Sequence, residues 1–311
     1  MKLLKHTRDF ARYGSTSVVT IGVFDGVHRG HQAIIAECVK EARRRRVPSV
    51  ALTFERNPRE VVCGESPCVI TSPGAKIDVL ASLGIDFTIS VSFGRSFASM
   101  LPEEFCQKIL VGHLGAGQVC VGENFHFGRN GAGDVGTLAS EGARLGFEVD
   151  VVPLVALDLG PLSSTLIRGL ICEGRVSEVM AALGRPYTVT GKVVPGHHRG
   201  KSLGFPTANL RPERDFCVPP DGVYAGIAVL GDSRYAGAIN IGRNPTFGDT
   251  ETALEVFLID FDGNIYGEAL EIEFHHRLRV EIAFDGEEEL VRQMRKDVRK
   301  ARALMGGHEA R

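Results

Sequence analysis

The stretch GVFDGVHRGH, residues 22–31, decides how the first half of the chain is built. It leaves the apolar, β-branched run Ser17–Val23 and enters a helical pattern over His31–Arg45. Gly22, Gly26 and Gly30 let the backbone turn sharply and approach a ligand closely, with Asp25 in the same turn. The start of a helix presents free N–H groups and a positive dipole end, which favours phosphate. His28 and His31, three residues apart at that start, can point the same way. Two imidazoles there can donate hydrogen bonds as charge develops on a phosphoryl group.

Working outward, strand-like and helix-like segments alternate. Pro48–Phe54, Phe87–Val91, Gln118–Val121 and Glu148–Val152 read as strands. Ala75–Ser82, ended by Gly84, Glu103–Leu114 behind Pro102, and Asp134–Leu145 read as helices. This alternation predicts a parallel α/β sheet over residues 1–183. GRPY at 184–187 reads as a hinge, and the texture then changes. Tyr187–Val194, Val223–Leu230, Tyr235–Ile241, Leu254–Ile259 and Ala269–Phe274 are short strand candidates separated by Gly, Pro and Asp turns. They predict an antiparallel sandwich or barrel over residues 184–311, capped by an amphipathic helix at about Glu287–Met305.

A length of 311 residues agrees with two domains. Lys plus Arg number 36 against 38 Asp plus Glu, so the chain lacks the basic field of a typical nucleic-acid binder. No apolar run approaches the roughly 18 residues of a membrane span. The charged start MKLLKHTRDF is not a secretory signal. The cysteines at 38, 63, 68, 106, 120, 172 and 217 form no C-x-x-C pair. Free thiols in a reducing cytoplasm are expected, rather than a disulfide framework or a zinc site.

H-x-G-H after a first strand is a signature of nucleotidyltransferases acting at the α-phosphate of a nucleotide. LSSTLIRGL at 162–170 supplies a second half-site. Ser164 or Thr165 can cap a helix, and Arg168 can clamp a triphosphate; the alternative is a helix cap alone. Asn124, in GENFHFG, is an amide for a base or phosphate, or a turn residue bonding its own backbone. GHHRGKSLGFPTANL at 196–210 is rich in donors, with Gly200 and Lys201 suited to phosphate. Thr207 and Asn209 lie two apart and suit Mg²⁺ through oxygen. Glu255, at a strand start, is a candidate general base facing into the barrel, or a surface residue of an edge strand. GAGDVG at 131–136 matches G-x-G-x-x-G but follows no strand directly, so a dinucleotide site is not expected.

Taken in order, GVFDGVHRGH, TFERNPREV, VGENFHFG, SSTLIR, LGRPY, RGKSLGFPTANL, PPDGVYAG, NIGRNPTF, LEVFLIDF and EELVRQMRKDV resemble the bacterial bifunctional riboflavin kinase/FAD synthetase family along essentially the whole chain. The resemblance implies a Rossmann-like nucleotidyltransferase domain that adenylylates FMN to FAD and releases pyrophosphate. It implies, after it, a β-barrel kinase domain that phosphorylates riboflavin with ATP and Mg²⁺. His28 and His31 would then sit at the adenylyl phosphates, with Gly22, Asp25 and Gly30 around them. Ser164, Thr165 and Arg168 would hold the triphosphate end, and Asn124 would line the nucleotide or flavin pocket. Gly200 and Lys201 would bind phosphate, Thr207 and Asn209 the metal, and Glu255 would be base toward a ribityl hydroxyl. One motif departs from the family: T-F-x-P-H-P reads Thr53-Phe54-Glu55-Arg56-Asn57-Pro58 here. Asn57, expected with Asn124 to bind flavin or nucleotide, replaces a histidine and cannot carry its charge. On sequence alone two alternatives stay open: a kinase with weakened adenylyl transfer, or a flavin-sensing binder. The implied partners are small molecules, without nucleic acid or membrane, and the oligomeric state is left open.

Overall fold

The computed structural model describes residues 1–62, 64, 66–158, 160–196, 203–243 and 252–306. The apolar runs of the first half form β1 (Lys2–Leu4), β2 (Ser17–Ile21), β3 (Ser49–Phe54), β4 (Phe87–Val91), β5 (Ala116–Gly122) and β6 (Glu148–Val152). They make one parallel sheet in the order β1-β4-β3-β2-β5-β6. Alternate side chains of β2 feed the two faces, Val18 packing with Ile35, Val39 and Leu80, and Val19 with Leu52, Leu110 and Leu138. The chain steps from β2 to β3 and β4, then returns past β2 to β5 and β6. The crevice at that reversal, outside the carboxyl ends of the strands, is where open parallel sheets bind ligands.

Helices α1 (Arg29–Arg45), α2 (Pro58–Val62), α3 (Pro73–Ser82), α4 (Arg95–Ala98), α5 (Pro102–Glu104) and α6 (Val135–Leu145) connect these strands. The helix expected over Glu103–Leu114 is present, but Phe105–His113 is wound as a π-helix. Buried Phe105, Ile109, Leu110 and Leu114 are spaced by four and five, which suits the wider turn as well as the α-turn. Beyond the hairpin β7 (Ala156–Leu157) and β8 (Gly160–Pro161) come α7 (Ser164–Cys172) and α8 (Val176–Leu183).

The second half contains β9 (Tyr187–Val194), β10 (Ala208–Pro212), β11 (Gly222–Leu230), β12 (Ser233–Arg243), β13 (Thr252–Leu258), β14 (Ala269–Val280) and α9 (Glu287–Met305). The strands close into an antiparallel barrel in the order β10-β13-β12-β11-β14-β9. Tyr224, Ile239, Val256 and Ala208 form one buried cross-strand row of its interior. Ala225, Ala238 and Phe257 face the other way and pack under Val298 and Ala301 of α9. The sequence placed a boundary at 183/184. The contacts divide the chain into two compact units, Met1–Pro67 with Ser72–Ser164, and Cys68–Thr71 with Thr165–Arg311. No helix among the described residues is long and apolar enough to cross a membrane.

One expectation is overturned. Cys68 and Cys217 form a disulfide, so the cysteines are not all free thiols. A parallel bridge pairs Val69 with Phe216, and Val69 exchanges backbone hydrogen bonds with Asp215 and Cys217. This pairing brings the two Cα atoms to 4.9 Å, inside disulfide range, across 149 residues that conceal it in the sequence. Cys38, Cys106 and Cys120 remain buried thiols and Cys172 an exposed one. Thiol titration of the denatured protein should find two fewer thiols before reduction than after, with one crosslinked peptide joining Cys68 to Cys217. Reduction should lower unfolding free energy by about 2–5 kcal/mol in a denaturant titration.

Candidate functional site

In the first unit the polypeptide leaves β2 at the sheet's reversal point through a turn with unusual backbone. Phe24, Gly26 and Val27 have φ of 52°, 84° and 39°. For a β-branched residue such as Val27 this is an outlier of the kind found at functional sites. Both Phe24 and Val27 are buried, and the Gln32 amide donates to the Val27 carbonyl at 2.8 Å. The turn delivers His28 to the N-cap of α1, where its Nδ1 accepts from the His31 N–H at 3.3 Å. The two rings stack with centroids 3.7 Å apart, as their spacing predicts. A Cβ at Gly30 would press within 3.1 Å of the His28 ring, so the glycine makes room for it.

Burial pulls the His28 pKa down to about 4. Burial pushes His31 well below its ordinary range too, assisted by His28 and Lys76. Both imidazoles are neutral at pH 7. Accepting at Nδ1 puts the His28 proton on Nε2, where it can be donated. The His31 Nδ1 is buried without a hydrogen-bond partner, which is unfavourable until a ligand meets it.

Ser164 joins this group, its hydroxyl donating to the Asp25 carbonyl at 2.9 Å. Thr165 is exposed on α7, and the Arg168 Nε donates to the Cys68 carbonyl at 2.8 Å. Asn57 is occupied locally: its side chain accepts from the Arg59 N–H at 3.1 Å, capping α2. Asn124 is exposed, and its carbonyl pairs with the His126 ring. Two features escaped the sequence reading. One is Lys76 of α3, whose ammonium reaches the ends of β2 and β3. The other is a cavity of about 470 Å³ beside Gly22 and Val23, walled by Phe54, Phe93, Phe97, Phe105, Phe125 and Phe127. The signal for the cavity was a concentration of phenylalanine between 54 and 127, without periodicity to mark it.

In the second unit the register builds the site. Arg279, Val223, Asn240, Glu255 and Asn209 form one cross-strand row over five strands. Glu255 does not face into the barrel as expected. Leu254, Val256 and Leu258 fill the interior, and period-two alternation turns Glu255 outward, toward α9. No edge is open there either, since β13 pairs with both β10 and β12. Glu255 and Thr207 line a cavity of about 350 Å³ whose opposite wall includes Met294 and Asp297 of α9. The Thr207 hydroxyl donates to the Glu255 carboxylate at 3.2 Å. Asn209 stands opposite Glu255, its amide filling the space above the Gly196 backbone. Hydroxyl, amide and carboxylate oxygens fit Mg²⁺, a hard cation that needs few protein ligands when phosphates supply the rest. No group of three His, Cys, Asp or Glu suited to a metal occurs among the described residues. Gly200 and Lys201 lie outside the described residues. Arg279 and Asp297, 2.9 Å apart across the cavity rim, were not anticipated because they pair strand with terminal helix.

Residues 11–166 match a family model described as FAD synthetase, and residues 183–305 match one described as riboflavin kinase. The bifunctional riboflavin kinase/FMN adenylyltransferase of Haemophilus influenzae is 35% identical over 98% of this chain and 99% of its own. The protein of the same name from Escherichia coli K12 is 33% identical over 98% of each chain. A crystal structure from Streptococcus pneumoniae, described as a macrolide-efflux protein, superposes with a TM-score of 0.88 at 31% identity, covering 97% of this chain and 99% of that one.

The depressed His28 pKa has a thermodynamic consequence. Between about 6.5 and about 4 the unfolded chain takes up a proton that folded His28 refuses. Stability should therefore fall as pH drops through that window, by up to roughly 3 kcal/mol from this residue. Denaturant midpoints measured from pH 7 to pH 4 should show the fall, and H28Q should make it smaller, leaving the part that His31 contributes.

Proposed function

The chain belongs to the bifunctional riboflavin kinase/FMN adenylyltransferase family, and we propose that it converts riboflavin and ATP to FMN and ADP, then FMN and ATP to FAD and pyrophosphate. Adenylyl transfer belongs to residues 1–183 in this reading, and phosphorylation to residues 184–311. The observation that carries it is the stacked, neutral pair His28 and His31 at a helix start, one ring nitrogen buried and unpartnered. That arrangement suits transfer at the α-phosphate. An oxygen of the FMN phosphate attacks phosphorus and pyrophosphate leaves. The imidazoles donate hydrogen bonds to the phosphoryl oxygens as charge builds, and no base is needed. Ser164, Thr165 and Arg168 are assigned to the triphosphate end on sequence alone. The phenylalanine cavity has the size and apolar character for the flavin ring.

For the kinase, the acceptor is a neutral ribityl hydroxyl, which loses a proton as it attacks the γ-phosphate. Glu255 takes that proton, held in place by the Thr207 hydroxyl. Thr207 and Asn209 would hold Mg²⁺, which when bound neutralises phosphate charge. Gly200 and Lys201 are assigned to phosphate on sequence alone. The reactants are small molecules, and neither nucleic acid nor membrane enters the scheme.

Incubation with riboflavin, ATP and Mg²⁺, followed by chromatography of the flavins, tests the whole reading. FMN should appear first and FAD after it; FMN alone would remove adenylyl transfer, and tight flavin binding without product would remove both activities. H28A should lower FAD formation by about 100-fold or more while FMN formation persists. E255Q should reduce the kinase kcat by about 100-fold or more and leave KM for ATP within roughly twofold. Unchanged values of both would take Glu255 out of the reaction.

A further inference from the structure

Lys76 lies on α3, outside every motif that led to the functional reading. It is buried, only 7% exposed. Its ammonium donates to the Phe54 carbonyl at 2.9 Å, the Val23 carbonyl at 3.2 Å and the Thr53 hydroxyl at 3.2 Å. Those three acceptors use all three N–H groups, and none is a carboxylate. The Thr53 hydroxyl in turn donates to the Val23 carbonyl at 3.1 Å. Val23 opens the strained turn that carries His28, and Thr53 and Phe54 end the neighbouring strand, where the family's second motif begins. One buried side chain therefore ties together the carboxyl ends of β2 and β3.

A charge kept in such a place is expensive unless something uses it, because burial disfavours an ammonium without a counter-ion. The charged or titratable groups that face it are Asp25, which favours its charge, and His31, whose protonation it opposes. Adenylyl transfer between FMN and ATP brings several phosphate charges to this spot. The two histidines are neutral, and Asn57, where the family has histidine, is neutral and committed to capping α2. Lys76 is a buried positive charge at the ends of these two strands.

We propose that Lys76 is a positioning residue for adenylyl transfer: it locks the His28 turn to the end of β3 and supplies there a positive charge that the two neutral histidines do not. The proposal rests on the adenylyltransferase reading of the first unit. It does not require Lys76 to touch the substrate. Its charge acts through the two carbonyl groups it binds and through the field it sets at the phosphates. Burial lowers its pKa to about 8, so it is charged at neutral pH and loses its charge in mildly alkaline solution.

The test is FAD formation from FMN and ATP between pH 6 and pH 9.5, with circular dichroism and thermal unfolding as the measure of folding and riboflavin phosphorylation by the same preparation as the control for the second unit. In the wild type, kcat for FAD should fall as pH rises through about 8. K76M should lower that kcat on the order of 100-fold, change KM for ATP little, leave the kinase rate intact and abolish the alkaline limb. K76R, which keeps a charge that does not titrate, should recover much of the rate and stay active beyond pH 9. A wild-type profile flat to pH 9.5, or K76M with wild-type kcat, overturns the inference while FAD synthesis itself stands. Wild-type protein that makes no FAD overturns the reading of function and the inference together. Because the wild-type profile needs no substitution, a K76M chain that folds poorly leaves the test intact.

Discussion

The first unit depends on holding a backbone turn that does not hold itself. Phe24 and Val27 lie in the left-handed region, each at a cost of order 1–3 kcal/mol. The surroundings over-determine them. Both side chains are buried in the core, Gln32 binds the Val27 carbonyl, and Thr53 and Lys76 both bind the Val23 carbonyl. What the strain achieves is position. The turn ends at His28, whose ring caps α1 and lies flat on His31, at the reversal point of the sheet. A relaxed turn would leave the helix start without its cap and the rings without a common direction.

The second unit reaches its geometry by another route. A closed barrel must fill its interior with apolar side chains, so its polar residues are left outside. Period-two alternation then lines them up: Asn209, Glu255 and Asn240 follow one another from strand to strand because the register permits nothing else. The outer face of a barrel is open to water, and α9 changes that. Its Asp297 receives Arg279 and Gln293, both at 2.9 Å, and its apolar side packs against alanines of β11 and β12. The helix turns an exposed row into the floor of a cavity.

How much of this was legible follows from range. The buried strands declared themselves because burial on both faces demands runs dominated by apolar and β-branched residues, and Ser17–Ile21 and Ser49–Phe54 are such runs. The histidine pair was legible because its geometry is local to one helix turn. Glu255 was found as a residue and misplaced as a direction, since the face of a strand depends on which neighbours fill the barrel. The disulfide, the phenylalanine cavity and Lys76 were hidden for one reason: each joins segments far apart in sequence through contacts without a spacing rule. Asn57 was legible as a departure from a motif, but its role as a cap needed the helix that follows it.

In the proposed reading the two sites hold opposite kinds of group, and the acceptors explain why. A hydroxyl acceptor is neutral and must lose a proton, so a carboxylate belongs beside it, and oxygen ligands for a cation belong beside the carboxylate. A phosphate acceptor is already an anion approaching another anion. A carboxylate there would repel it, and a charged imidazole buried at pH 7 would need solvation that the site lacks. Neutral imidazoles that donate, near an ammonium saturated by two backbone carbonyls and the Thr53 hydroxyl, satisfy both conditions. In the proposed reading they would give hydrogen bonds where charge develops, with the positive charge on a residue too enclosed to neutralise the acceptor by contact.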